Sequence, residues 1–298
     1  MRLPWDREGR QVLTLTIEQG AVKLVTAQRQ RVLDYRLQPV NPAFFREGLP
    51  AQPKRVAKVI AGAVKEFGGS IGRVVATVPG FQSMLQVLEF PQARGLDPRE
   101  VIPQEAARAM GIPLERSVLR WHRLPDWQDR TRWLVVAAPR RSVEVLLETA
   151  RQAGLPLHAM ELRPFGLARA VNVPDAIVAW LGVDGADVVL VRQAAPVAYL
   201  SVAWGAEVTE GAVLVERLAQ MVEQTLTRYE ASSPEGWVAD DVPILVCGVP
   251  AGLEGEVGPG VAATLGRELQ ALRPPVEAPE DFPVQELVIN LGLALREA

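Results

Sequence analysis

The 298-residue chain has little of several features that would place it in a common class. Its single cysteine excludes an intramolecular disulfide, and Cys247 lies in the apolar run 244–247, which favours a buried small side chain. The basic residues are scattered and the net charge is −3, so neither nucleic acid nor an anionic membrane is indicated as a partner. No segment has the ~18 consecutive apolar residues of a membrane-spanning helix, and the start lacks a secretory signal. We therefore expect a soluble protein inside the cell.

Motifs of common cofactor-dependent enzymes are also missing. The chain contains neither GxGxxG nor GxxxxGK[ST], which removes support for dinucleotide-binding and P-loop classes. The two histidines, His122 and His158, lie in separate predicted strands without a cluster of metal ligands around them. We expect both to be structural or surface residues, and we expect no metal and no cofactor.

What the chain does have is a large apolar fraction, 48%, arranged in short periodic segments. The predicted strands of the first half lie at 11–17, 21–27, 31–37, 73–78, 83–90, 118–124, 132–138 and 157–161, with helices at 53–67, 98–110 and 142–153. Asp97 before Pro98 is a good N-cap for the second helix. In the second half, strands are predicted at 176–182, 187–192, 197–202 and 244–247, and helices at 211–229 and 282–298. Two meanders, each followed by a helix and a strand, predict duplicated α/β halves with a small insert in the first.

A resemblance to a known family begins in the first meander. The segment 15–23, LTIEQGAVK, is similar to the opening of PilM proteins, which forms the first phosphate loop of the actin fold. Further PilM-like segments follow in the same order: VVATVPG at 74–80, QVLEFP at 86–91, QEAARAMGIP at 104–113, LVVAAP at 134–139 and AGL at 153–155. The segments 217–229 and 290–296 resemble the family's later helices. The resemblance covers almost the whole chain and implies an α/β, actin-like (ribonuclease H-like) fold.

The resemblance also implies a domain organisation. The first actin-like domain would span 1–172, with an α/β insert subdomain at about 83–162, and a truncated second domain would span 173–298. PilM proteins carry a lid subdomain between the strand that ends here near Ala203 and the helix that begins at Gly211. The short connection in this chain predicts that the lid is missing.

Actin-fold ATPases hold ATP between two hairpins whose backbone N–H groups, hydroxyls and aspartates meet the phosphates and the metal. This sequence departs from the PilM pattern in both hairpins and in the adenosine loop. The altered positions are Thr16, Glu18, Gln19, Trp180, Asp184, Asp187 and Val249. We therefore predict a degenerate nucleotide site and no ATP hydrolysis, and we interpret Glu18, Asp184 and Asp187 as solvated turn residues.

Finally, the resemblance implies a partner and a place in the cell. PilM-like proteins bind the cytoplasmic tail of a PilN-type inner-membrane protein in a groove between the first domain and the insert, which needs no cofactor. We expect a cytoplasmic scaffold of a type IV pilus or secretion-type assembly, peripheral to the inner membrane, with the segment 78–111 bordering the groove. The run 121–133 has the aromatic and arginine content of an interface, or of a tryptophan-anchored hairpin. The candidate partner-binding residues are Val78, Pro79, Phe81, Glu105, Trp121 and Trp127.

Two other hypotheses stay open. A nucleotide-binding actin-fold ATPase or kinase-like enzyme would need the phosphate hairpins that are altered here. A filament former like the division protein FtsA would need a C-terminal membrane-targeting helix, and none follows Ala298. The sequence does not distinguish pilus, type II secretion and DNA uptake machines, and it leaves self-association open.

Overall fold

The computed structural model describes residues 11–68, 71–91, 97–183, 185–204, 210–233, 236–249 and 252–296. The first half is built on a five-stranded sheet. Its strands are β1 (Val12–Glu18), β2 (Ala21–Gln28), β3 (Arg31–Pro39), β6 (Arg73–Val78) and β10 (Ala159–Leu162), in the order β10-β6-β1-β2-β3. A small hairpin, β4 (Phe45–Arg46) and β5 (Leu49–Pro50), precedes helix α1 (Pro53–Lys65). Helix α1 is amphipathic and buries Val56, Ile60 and Ala63 on this sheet.

The insert is a separate three-stranded sheet. It comprises β7 (Met84–Pro91), β8 (Ser117–Trp127) and β9 (Arg130–Pro139), in the order β7-β9-β8, with helix α2 (Pro98–Met110) on one face. Asp97 caps α2 as predicted, since its Oδ1 accepts the Arg99 N–H at 2.8 Å.

The insert ends earlier than the sequence predicted. Helix α3 (Arg140–Gln152) packs on α1, and β10 pairs in parallel with β6. Both elements therefore belong to the five-stranded layer, and the predicted extension of the insert to residue 162 is wrong. The reason is that β10 supplies a further parallel strand to the main sheet, which strand periodicity alone does not reveal.

The second half repeats the plan of the first. Its strands β11 (Ala176–Gly182), β12 (Gly185–Arg192), β13 (Ala195–Ala203) and β14 (Ile244–Cys247) form a sheet in the order β13-β12-β11-β14. In each half a three-strand antiparallel meander is followed by a strand parallel to the first, β6 to β1 and β14 to β11. This confirms the predicted duplication of α/β halves. The helices of this half are α5 (Gly211–Ser232) and α6 (Glu254–Leu265).

Two helices join the halves, α4 (Arg163–Val171) and α7 (Val284–Ala294). They cross closely, because a Cβ added to Gly292 would lie 1.8 Å from the carbonyl oxygen of Gly166. Asn290 of α7 is fully buried, and its Nδ2 donates to Thr14 Oγ1 at 3.1 Å and to the Lys23 carbonyl at 3.2 Å. The C-terminal helix is thus fixed to the first sheet by a buried polar contact.

The predicted absence of a lid concerns the connection between Ala203 and Gly211, most of which (205–209) lies outside the described residues. Throughout the described ranges, each helix is too short or too polar to cross a bilayer.

Candidate functional site

The turn between β1 and β2 carries a buried ion pair. Glu18 is 3% exposed, and its Oε2 lies 2.7 Å from Lys23 Nζ. Glu18 is opposite Ala21 in the hairpin register, so Lys23 is its diagonal neighbour on the adjacent strand. The interpretation of Glu18 as a solvated turn residue is wrong, because this cross-strand lysine neutralises the carboxylate and permits its burial. The neighbouring Thr16 is also buried, and Gln19 is half-buried in the turn.

A second buried ion pair joins the two halves of the chain. Asp187 of β12 has no exposed surface, and its Oδ2 lies 2.9 Å from Nε of Arg163, the first residue of α4. Asp187 was also interpreted as a solvated turn residue, and this too is wrong. The charge is buried because Arg163, distant in sequence, arrives from the first half to neutralise it. Asp184 lies outside the described residues.

Trp180 covers this ion pair. It stands opposite Asp187 in the β11–β12 register, is 1% exposed, and has the Arg163 guanidinium 4.6 Å from its ring centroid. A guanidinium over an indole face is attracted by the ring quadrupole, more strongly when both are desolvated. The position where the PilM pattern has an aspartate is thus occupied by a large apolar side chain inside the protein.

Two glycines make room for the indole. A Cβ on Gly182 would lie 2.4 Å from Trp180 Cη2, and one on Gly248 would lie 2.8 Å from its Nε1. Gly248 has a φ of +73° in the loop after β14, and its N–H donates to Gln285 Oε1 at 3.0 Å. The next residue, Val249, is 6% exposed and belongs to the apolar core of the second half. The loop after β14 therefore packs on the chain's own side chains.

Tyr199 extends the cluster to the insert. Its hydroxyl oxygen is buried, and burial, with the nearby Asp187 charge as a second cause, raises the pKa of Tyr199 well above its ordinary value. A Cβ on Gly80 would lie 1.6 Å from this hydroxyl, so the β6–β7 connection packs directly on β13. The fully buried Cys247 also has its thiol pKa raised by burial, which confirms the interpretation of a buried small residue.

A groove of about 730 Å³ lies between the insert and the five-stranded layer. Its floor is the face of the insert sheet opposite α2, where Leu134 and Val136 of β9 alternate with the α2-facing Val135 and Ala137. Its other wall is β10 together with α3 and α4. Other residues that line the groove include Arg120, Trp121, His122, Leu147, Leu157, Phe165 and Arg296.

Two edge strands of the described sheets border this groove. At the outer edge of β3, the Val32 N–H donates to the Glu277 carbonyl at 2.8 Å, and beside β14 the Ile244 N–H donates to the Glu268 carbonyl at 2.9 Å. Strands β13 and β7 lie against each other. Strands β10 and β8 are also edge strands of their sheets, and both border the groove. An uncovered edge presents unpaired backbone N–H and C=O groups and is a template for another strand.

Charged groups at the groove are organised around Glu161. Its carboxylate accepts hydrogen bonds from Arg169 and from Arg296 Nε, the latter at 2.5 Å. His158 is structural. Its side-chain Nδ1 accepts the Val74 backbone N–H at 3.1 Å, and its backbone N–H donates to the Val74 carbonyl at 2.8 Å. Most side chains that line the groove are apolar, and Arg120, Glu161 and Arg296 are among the charged residues that line it.

The structure brings together only part of the predicted partner-binding set. Val78 and Trp121 line the groove, although Trp121 also packs with the apolar cluster under α2. Phe81 is 37% exposed in the turn after β6. The residues Pro79, Phe81, Glu105 and Trp127 are not among those that line the groove.

Glu105 shows why part of the prediction fails. It lies on α2, where it pairs with Arg108 at 2.6 Å, and α2 covers the opposite face of the insert sheet. Of the segment 78–111, which was predicted to border the partner-binding groove, Val78 lines this groove. The main wall is 157–162, with the exposed Leu147 of α3 beside it.

The described residues contain no group of three or more His, Cys, Asp or Glu side chains that could hold a metal ion. A scan against protein-family models and a search of curated proteins find no match. Among solved structures, a Bacteroides thetaiotaomicron protein described as having an actin-like ATPase fold aligns over 99% of this chain and 100% of its own, with a TM-score of 0.51 and 8% identity.

The fold is actin-like.

The PilM–PilN type IV pilus biogenesis complex gives a stronger match to this actin-like chain, with a TM-score of 0.72 and 22% identity over 96% of this chain and 98% of the other. The cytoplasmic domain of EpsL, an inner-membrane component of the type II secretion system of Vibrio cholerae, aligns over 96% of both chains with a TM-score of 0.55 and 12% identity. These likenesses confirm the predicted fold class. Similarity to PilM extends over both actin-like halves and the insert.

Proposed function

We propose that this actin-like chain is a binding platform in a pilus or secretion-type inner-membrane assembly, and that its groove holds a short extended segment of a PilN-like membrane protein. The observation that carries the proposal is that two edge strands, β8 and β10, border one groove lined mainly by apolar side chains. An extended peptide can add to such an edge through main-chain hydrogen bonds, while its side chains enter apolar pockets.

The dimensions of the groove fit a peptide. Strand β10 on this wall is four residues long, Ala159–Leu162, which corresponds to about 13 Å of extended chain at ~3.3 Å per residue. Apolar side chains lie on both sides of that length, from Val136 on the floor to Leu147 on α3. The likeness to a PilM chain in complex with PilN supports this class of partner.

We further propose that the chain performs this role without ATP hydrolysis. Trp180 and the Arg163–Asp187 pair fill the space beside the second hairpin, and the Glu18 carboxylate lies at the first. Phosphate groups would meet a buried indole at one hairpin and the Glu18–Lys23 ion pair at the other. Peptide binding in the groove uses none of these residues.

The test is peptide binding to the folded chain. The probe is a fluorescein-labelled synthetic peptide covering the cytoplasmic segment of the PilN-like protein encoded in the same genome, measured by fluorescence anisotropy. Leu147 is 45% exposed in the groove, so Leu147→Glu should place a charge there without disturbing the core. We expect this substitution to weaken binding at least tenfold.

The matched control is Leu33→Glu on β3, where the leucine is 47% exposed and far from the groove. It should bind the peptide like the wild-type chain. If the peptide does not bind, or if Leu147→Glu binds it as well as Leu33→Glu does, the groove is not the site and the proposal fails.

A further inference from the structure

The groove does not end at β10 but continues along α3. A second hollow of about 560 Å³ begins where the groove ends, and the two share Leu147 and Leu157 as common lining residues. The hollow is bounded by the solvent-facing side of α3 and by the α3–β10 connection, 154–157. A peptide that lies along β10 and runs past Leu157 enters this hollow.

Two glutamates of α3 face the hollow, one helical turn apart. Glu144 and Glu148 both line it, and like charges at i, i+4 repel each other. Glu148 is already satisfied, because Arg151 Nη2 lies 2.8 Å from its Oε1 and Gln152 also donates to it. These bonds lower the pKa of Glu148 to about 2. Its charge is present at every physiological pH and is balanced by Arg151.

Glu144 is in a different position. It is exposed, and no ion pair joins it to any residue in the described part of the chain, including Arg141 one turn earlier. It lies at the junction of the hollow with a further depression that Arg116, Arg140 and Arg141 also line. Among the carboxylates that line the groove and the hollow in the described part of the chain, it is the one without an ion pair.

The charges at the main groove have the opposite sign. Arg120 and Arg296 line it, and the carboxylate of Glu161 is already bound by Arg296 and Arg169. A cationic peptide side chain therefore meets an unpaired carboxylate at Glu144, whereas the carboxylate beside β10 is already paired. This difference in charge predicts the direction in which the bound segment lies as well as the types of residue that it contains.

We propose that the groove selects a peptide in which an apolar stretch, lying along β10, is joined to a lysine or arginine that pairs with Glu144. The inference rests on the proposed function and specifies the chemistry of its partner. Affinity comes from the apolar stretch and the strand edges, and the basic residue fixes the register.

The experiment replaces each position of the synthetic peptide described above by Lys, Gln and Glu in turn, and measures each variant against wild-type, Glu144→Gln and Glu144→Lys chains. One position should prefer Lys on the wild-type chain by about three- to fivefold, as expected of a partly exposed ion pair. Glu144→Gln should remove this preference, and Glu144→Lys should reverse it in favour of Glu. Addition of 0.5 M NaCl should reduce both effects.

Glu223→Gln on α5 is the control, since Glu223 is an exposed helix glutamate on the other half of the chain. This variant should bind the peptide variants in the same order of affinity as the wild-type chain. If the peptides bind and depend on Leu147 but keep the same ranking on wild-type and Glu144→Lys chains, the inference is overturned and the proposed function stands. If no peptide binds the wild-type chain, both are overturned.

Discussion

At the scale of single residues, the informative positions are those that bury a charge or an aromatic ring where the resemblance to PilM predicted phosphate contacts. Trp180, Arg163 and Asp187 form a compact stack between the halves. The sequence identified the positions of Trp180 and Asp187 as altered, but it assigned Asp187 to solvent. Its partner Arg163 opens a helix that the sequence did not predict, so nothing in the local pattern pointed to the pair.

Breaking this pair should destabilise the fold strongly. Arg163→Met leaves the Asp187 carboxylate buried without its arginine, and we expect a loss of about 3–5 kcal/mol in the free energy of unfolding, since one partner of a buried pair is removed. Urea denaturation followed by circular dichroism measures this. The double variant Arg163→Met with Asp187→Leu should recover much of the loss, because no buried charge is left. If the double variant loses as much as the sum of the single variants, the two side chains are not coupled in the way described.

At the scale of elements, the periodic helices and strands could be predicted, whereas helices α4 and α6 could not. Strands 73–78, 176–182 and 244–247 and helix 98–110 begin and end where the sequence placed them. Helix α4 was missed because seven of its nine residues are buried, which leaves no alternation of apolar and polar faces. Helix α6 was missed because it contains Pro259 and three glycines, residues that usually indicate a loop.

The crossing of α4 and α7 gives a prediction at this scale. Gly292→Ala places a methyl group 1.8 Å from the Gly166 carbonyl oxygen, so the two helices must separate. We expect a loss of about 1–3 kcal/mol in stability from overpacking. The control is Gly62→Ala in α1, where no atom lies within 4 Å of the added Cβ.

In the control the added methyl group should raise helix propensity, and stability should increase by about 0.5–1 kcal/mol. Thermal denaturation of both variants provides the comparison. Equal effects at the two glycines would contradict the close packing of α4 on α7.

At the scale of the whole molecule, the sequence predicted two α/β halves with an insert, and the resemblance to PilM placed them in the actin fold. Both are confirmed by the sheet topology and the structural likeness. The sequence predicted a partner-binding groove between the first domain and the insert, bordered by 78–111, whereas the groove found there is lined mainly by 157–162 and the insert sheet. The face of the insert sheet that lines the groove is the one that α2 leaves uncovered. The sequence predicted helix α2 but not which face of the sheet it covers.

The proposed loss of ATP chemistry is tested on the whole chain by thermal shift. A ligand at a hundred times its dissociation constant stabilises a protein by ~2.7 kcal/mol, which is easily detected in a melting curve. We expect no shift with 5 mM ATP and Mg²⁺ relative to Mg²⁺ alone, since the chain's own side chains occupy the space beside both hairpins. A saturable increase in melting temperature would reopen the hypothesis of an ATPase or kinase-like enzyme.

The two edge strands at the groove, β8 and β10, have a consequence for the handling of the isolated chain. Strand edges that natural proteins leave bare are sites of unwanted pairing between copies. A preparation without the partner should therefore lose monodispersity as its concentration rises, while co-expression with the bound segment should preserve it. For crystallisation or electron microscopy, the peptide-bound form is then the specimen of choice.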